Sequence, residues 1–194
     1  MTSAPQTDFL TALASSDLGV FQPLQVRQQE LLADLVSAAW GTHGEFIDAD
    51  QFLTKPTVLR RLAAILAAHV PPDVDRLLGR DPHSLVLGAA LALETGLPLV
   101  VARTAAGAGE LGCFGELHAG ERVLVVEGVT GTGASAAGAV RAVRAAGATV
   151  VGVLAAVDRG QGAAELLEHA AARLNALFSD DELRHVATRG RSAR

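Results

Sequence analysis

One stretch constrains the rest of the chain, the run from Arg122 to Ser135 that reads Arg-Val-Leu-Val-Val-Glu-Gly-Val-Thr-Gly-Thr-Gly-Ala-Ser. Val123–Val126 is a continuous apolar, β-branched segment, the pattern of a strand buried on both faces of a parallel sheet. Glu127 and Gly128 place an acid at the strand's C-terminal end. Thr130-Gly131-Thr132-Gly133-Ala134-Ser135 is a small-residue turn that opens a helix expected to run to about Ala146. In open α/β sheets, ligands bind beyond the C-terminal ends of the strands. A glycine-rich turn entering a helix aims unpaired backbone N–H groups at one point, and the helix dipole favours an anion there. The stretch is therefore a phosphate cradle in outline, with a carboxylate beside it.

The order of residues excludes two common cradles. No Gly-Lys-Ser/Thr follows, as a P-loop requires, and the glycines do not fall in the G-x-G-x-x-G order of a dinucleotide fingerprint. The run does resemble the 5-phosphoribosyl 1-pyrophosphate (PRPP) motif of type I phosphoribosyltransferases: a hydrophobic strand, two acids, then a Thr/Ser/Gly turn. Glu127 matches the first acid, Gly128 replaces the second, and Thr132, Gly133 and Ser135 keep the turn, with Ala134 in place of a glycine. The resemblance extends over about Glu45 to Leu183 and is strongest to the orotate-type members.

Composition narrows the partners. The 194 residues suit one domain with a small appendage, and 49% of them are hydrophobic, enough for a real core. A net charge of −5 without a basic stripe argues against nucleic acid, and the absence of tyrosine removes stacking platforms. One cysteine, Cys113, excludes an internal disulfide framework and fits a reducing cytoplasm; it reads as a plain loop thiol. No apolar run reaches membrane-spanning length. Lys55 is the single lysine beside many arginines.

In chain order, residues 1–56 are expected to form an N-terminal helical segment and hood, 57–188 the α/β core, and 189–194 a disordered tail. Helices are expected from Asp8 to Val20 and from Val26 to Trp40, followed by a loop holding His43, a solvated loop histidine in this reading. Gly44 to Pro56 reads as an extended segment and a turn. Thr57–Val70 is a helix ended by Pro71-Pro72. A strand at Val74–Leu78, the loop Gly79–Ser84, a helix at Ser84–Gly96 and a strand at Leu97–Ala102 make one β-loop-α-β unit. Arg103 to Gly120 is glycine-rich and reads as a mobile functional loop. Beyond the motif come a strand at Thr149–Val157, the element Asp158-Arg159-Gly160-Gln161-Gly162, a helix at Ala163–Ala172, a strand at Leu174–Phe178 and a closing helix from Ser179.

The resemblance implies an α/β fold of the type I phosphoribosyltransferase kind, with about five parallel strands flanked by helices and a small N-terminal hood. It implies transfer of ribose 5-phosphate from PRPP to a nitrogenous base, a pyrimidine such as orotate, with release of pyrophosphate. Val129, Thr130, Gly131, Thr132, Gly133, Ala134 and Ser135 would hold the 5′-phosphate, and Glu127 the ribose hydroxyls. Gly79, Arg80 and Asp81 belong to the turn that would hold pyrophosphate together with Mg²⁺; no metal site of the protein's own is implied. Arg159 resembles the arginine of an Asp-Arg-x-x-Gly element that recognises the base's carboxylate. Arg103 matches the first residue of the family's catalytic loop, but Thr104, Ala105, Ala106 and Gly107 stand where cations are usual. The family is usually dimeric, so a homodimer is expected, in the cytoplasm. Gly128 and the lysine-free loop keep open a second reading, a catalytically weak or inactive protein that binds PRPP or a nucleotide on the same fold. A Rossmann-like binding domain for another phosphorylated molecule is the third.

Overall fold

The computed structural model describes residues 24–39, 48–104 and 111–192. The expected helix at 8–20, the loop with His43 and the middle of the glycine-rich loop lie outside them. The described chain runs α1 (Leu24–Ala39), α2 (Ala49–Leu53), α3 (Pro56–Ala67), β1 (Arg76–Gly79), α4 (Pro82–Thr95), β2 (Leu99–Thr104), β3 (Leu111–Phe114), β4 (Arg122–Thr130), α5 (Ala134–Ala145), β5 (Thr149–Asp158), α6 (Ala163–His169), β6 (Leu174–Ser179) and α7 (Asp180–Ser192).

The strands form one sheet in the order β3-β2-β1-β4-β5-β6. Five are parallel, and β3 adds an antiparallel edge against β2. Central strand β4 is buried from Val123 to Gly128, which is why its sequence is continuously apolar rather than alternating. Its even side, Leu124 and Val126, packs with Leu31 and Leu35 of α1, Phe52 and Leu53 of α2, Leu62 and Leu66 of α3, and Leu87 and Leu91 of α4. Its odd side, Val123 and Val125, packs with Ala136, Ala139, Val140 and Val143 of α5 and Leu167 of α6. The alanine-rich α5 thus lies close on the sheet, because small side chains let a helix backbone approach.

The connection β1-α4-β2 runs outward on one side of the sheet's centre, and β4-α5-β5 runs outward on the other. Neighbours β1 and β4 are therefore the point where the strand order reverses, and in open α/β sheets this is where a crevice forms at the strands' C-terminal ends.

Three expectations are corrected. Gly44 to Pro56 contains a helix, α2, whose start is capped by the Asp48 side chain accepting from the Asp50 amide. Five residues carry too little periodicity to announce a helix; burial of Phe52 and Leu53 holds it. The glycine-rich segment after Arg103 contains β3, paired to β2 from Val101↔Phe114 to Thr104↔Leu111. A four-residue edge strand with Gly112 in it has no alternating pattern to betray it. Helix α7 continues through Ser192, into the segment expected as a tail.

Candidate functional site

The crevice between β1 and β4 is framed by two helix starts. At α4, Asp81 is the N-cap: its Oδ1 accepts from the Ser84 amide at 2.9 Å, and Pro82 occupies the first turn where no amide is needed. At α5, the N-cap is Gly133, in left-handed conformation at φ +79° and without a side-chain cap. A side chain there would be strained and would meet Ala163 Cα at 3.0 Å. The first-turn amides of α5 are thus left for another acceptor, and Thr132 stands exposed beside them.

The two turns are tied across the crevice. Ser135 Oγ donates to Asp81 Oδ2 at 3.0 Å, and Ser84 Oγ donates to Glu127 Oε2 at 3.3 Å. Glu127 is buried at the end of β4, 2% exposed. Burial, and then the charge of Asp81, push its carboxyl up to about 8. Asp81 moves the other way: burial opposes its charge, but the Ser84 amide and the Ser84 and Ser135 hydroxyls hold its carboxyl below the ordinary range. The pair therefore carries one negative charge near neutrality. Glu127 Oε1 and Thr130 Oγ1 are buried and have no hydrogen-bond partner among the described residues. Both residues lie toward the end of β4, where unsatisfied buried polar atoms leave a polar ligand something to satisfy.

The other expected residues fall as follows. Gly79 ends β1, and a Cβ there would meet the Ser84 carbonyl at 3.0 Å, so glycine lets the turn fold tightly. The Arg80 guanidinium lies against Gly138 of α5 and approaches the Ser135 carbonyl at 3.4 Å, so it braces the two turns from the α5 side. Val129 and Thr130 pair with Val157 and Asp158, which brings Arg159 next to the Thr130–Ser135 turn; its amide donates to the Thr130 carbonyl at 2.8 Å. Asp158 accepts from the Gly160 amide at 3.0 Å, shaping the turn that follows. Gly131 faces Gln161 across this gap, and Ala134 begins α5. Arg103 lies in β2; its side chain is outside the described residues.

Sequence reasoning missed His83 and Asp50. His83 Nε2 and Asp50 Oδ1 are 2.8 Å apart, joining the start of α4 to α2. A histidine two residues after an arginine-acid pair, and an aspartate in a short undetected helix, gave no periodic signal; only the fold brings them together. They also explain Gly128. A Cβ there would lie 2.8 Å from His83 Cβ and 3.1 Å from Leu53 Cδ1. Restoring an acid by Gly128→Asp is therefore expected to cost stability, about 1–3 kcal/mol as overpacking, instead of tightening PRPP binding. Urea denaturation and a PRPP titration of the variant check both halves.

Solved structures similar to this one include phosphoribosyltransferases. One, orotate phosphoribosyltransferase of Mycobacterium tuberculosis H37Rv in complex with PRPP, superposes with a TM-score of 0.69 at 25% identity, covering 81% of this chain and 92% of that one. Fold and crevice together define a phosphoribosyltransferase of type I architecture. No protein-family model matches the chain. Among curated proteins, orotate phosphoribosyltransferase of Halobacterium salinarum is 40% identical over 147 residues, 74% of this chain and 82% of that protein. That of Pyrococcus furiosus is 34% identical over 148 residues, 73% and 81%. The chain belongs to the orotate phosphoribosyltransferase family.

Proposed function

We propose that the protein transfers ribose 5-phosphate from PRPP to orotate. The base nitrogen forms a bond to C1′ of the ribose, the bond from C1′ to the pyrophosphate oxygen breaks, and pyrophosphate leaves with that electron pair. The observation that carries the reading is the pair of helix starts at the sheet's switch point, tied by Asp81 and Ser135. The uncapped α5 terminus favours an anion, and the α4 turn, whose cap is the Asp81 carboxylate, suits a pyrophosphate that brings a cation with it. The α5 turn, Thr130–Ser135, would take the 5′-phosphate through its uncapped amides and the Thr132 hydroxyl. The Gly79–Ser84 loop would take pyrophosphate. Thr130 Oγ1 and Glu127 Oε1 are the unsatisfied atoms proposed for the ribose side. Catalysis of this kind is mostly positioning and electrostatic stabilisation of a cationic sugar and an anionic leaving group.

Mg²⁺ is proposed to arrive with the pyrophosphate and to neutralise part of its charge. Among the described residues no trio of carboxylate, histidine or cysteine side chains could cage a metal unaided, and Asp81 is the carboxylate at that turn.

Arg159 is proposed to recognise the base's carboxylate, which a guanidinium fork matches in two hydrogen bonds. Arg159→Ala is expected to raise the KM for orotate about 10–100-fold, the loss of roughly 1.5–3 kcal/mol of charged hydrogen bonding, with the KM for PRPP changed much less. Nucleotide formation from PRPP and a panel of bases, followed by absorbance, tests the function. Equal losses for both substrates in the variant would remove Arg159 from the base side, and no turnover with any base would favour the binding-only reading.

A homodimer in the cytoplasm is proposed as well. Phe114 on the edge strand β3 is 71% exposed and lines a largely apolar cavity of about 480 Å³ with Arg80, Pro82, Leu85 and Val101. Phe114→Glu is expected to convert a dimer to a monomer by sedimentation. No helix among the described residues is long and apolar enough to cross a membrane.

A further inference from the structure

We infer that His83, held by Asp50, is a catalytic residue that meets the leaving pyrophosphate, with Asp50 as its positioning residue; this rests on the PRPP-dependent reading above.

A departing pyrophosphate gathers negative charge, and a donor aimed at that charge is where such a site gains rate. Three described cationic side chains border the crevice. Arg80 is spread along α5 against Gly138, and Arg159 stands on the far side, past Thr130. His83 lies in the turn proposed for pyrophosphate, two residues after the Asp81 cap, with its side chain 39% exposed. Its position is built rather than incidental. Its Cβ packs over the bare backbone of Gly128, where no other residue fits, and Nε2 is fixed by Asp50 at 2.8 Å. Asp50 is in turn held by its place in α2, whose start Asp48 caps. The glycine that replaces an acid in the motif and the histidine that occupies its space are thus one arrangement. It exchanges a carboxylate at the end of β4 for an imidazole–carboxylate pair at the start of α4.

The ring meets Asp50 from α2, and its Cβ meets Gly128 of β4, which offers no side chain; the Asp81 and Ser84 side chains of its own turn are engaged with Ser135 and Glu127. Glu127 turns to the opposite side of the sheet, toward Ser84 and α5. With Nε2 held by Asp50, the cationic ring keeps Nδ1–H as a second donor and adds a positive charge to a turn whose own side chains are acidic; the neutral ring would offer only an acceptor there.

The test uses the full chain and three variants, His83→Gln, His83→Lys and Asp50→Asn. Glutamine keeps a donor for Asp50 without charge, and lysine keeps the charge on a different frame. Steady-state kinetics with PRPP and orotate, and calorimetry with magnesium pyrophosphate alone, are the two readouts. The expected result is a fall in kcat of about 10²-fold for His83→Gln, with KM for orotate unchanged and pyrophosphate bound about tenfold more weakly. His83→Lys should recover most of both, and Asp50→Asn should lower kcat about tenfold. A purely structural tether would reverse the order, with glutamine preserving and lysine impairing activity, and that outcome overturns the proposal. So does unchanged pyrophosphate affinity in His83→Gln. If the unsubstituted chain fails to make nucleotide, the transfer reading falls by itself, while the pyrophosphate titration still decides for or against His83.

Discussion

Gly133→Val is expected to lose both stability and the response to PRPP. Gly133 has φ +79°, a region that a β-branched residue adopts only at a cost of about 1–3 kcal/mol. Its Cβ would also meet Ala163 Cα at 3.0 Å and Ala163 Cβ at 3.2 Å, and backbone cannot swing aside as a long side chain can. Overpacking adds about 1–3 kcal/mol. For a domain of this size the sum of about 2–6 kcal/mol corresponds to a fall in Tm of roughly 4–24 °C. Because Gly133 is also the α5 N-cap, any adjustment that relieves the clash re-aims the first-turn amides, so the Tm gain produced by PRPP should vanish. Thr132→Val separates the two effects. Thr132 is exposed, so this variant should keep its Tm in the absence of ligand and bind PRPP about tenfold more weakly. Thermal unfolding of both variants with and without PRPP is the measurement; a Gly133→Val protein that PRPP still stabilises fully would remove the phosphate from this turn.

Glu127→Gln is expected to abolish a pH dependence of stability that the unsubstituted chain should show. The Glu127 carboxyl sits at about 8 in the folded protein, against an ordinary value of 4.5. Between those values the unfolded chain has lost the proton that the folded chain keeps. Folding then takes up a proton, so the unfolding free energy falls as pH rises from about 4.5 to about 8 and levels above that. The contribution is complete below the unfolded pKa and gone above the folded one. At about 1.4 kcal/mol per unit, the total is on the order of 3–5 kcal/mol, an upper range because Asp81 and Glu127 titrate together. Glutamine is nearly isosteric and never ionises, so the variant should match the parent near pH 5 and exceed its stability near pH 9. Urea unfolding at pH 5, 7 and 9 reads this directly. The idea fails if the parent shows no such slope, or if the slope survives in the variant.

These expectations separate what residues announce from what only packing reveals. Strand β4 was legible because burial on both faces demands an uninterrupted apolar run, and the turn after it because the glycines and hydroxyls of a helix-opening cradle are local requirements. The register Thr130↔Asp158 sets the Arg159 backbone beside the Thr130–Ser135 turn, a neighbourhood that the β4–β5 pairing decides. The short elements α2 and β3 were not legible, since four or five residues held by tertiary contacts need no pattern of their own.

The sequence by itself determined the layered α/β architecture, the central strand, the Thr130–Ser135 turn and the family likeness, because each rests on interactions between residues close in the chain. Only the tertiary structure decided the electrostatics of the site. Asp81 and Ser135 are 54 positions apart, Ser84 and Glu127 are 43, and His83 and Asp50 are 33, yet each pair is within hydrogen-bonding distance. Whether Glu127 is charged and why residue 128 must be glycine depend on the neighbours that folding supplies. A carboxyl's ionisation and a side chain's room are properties of the surrounding space, which the linear order of residues does not contain.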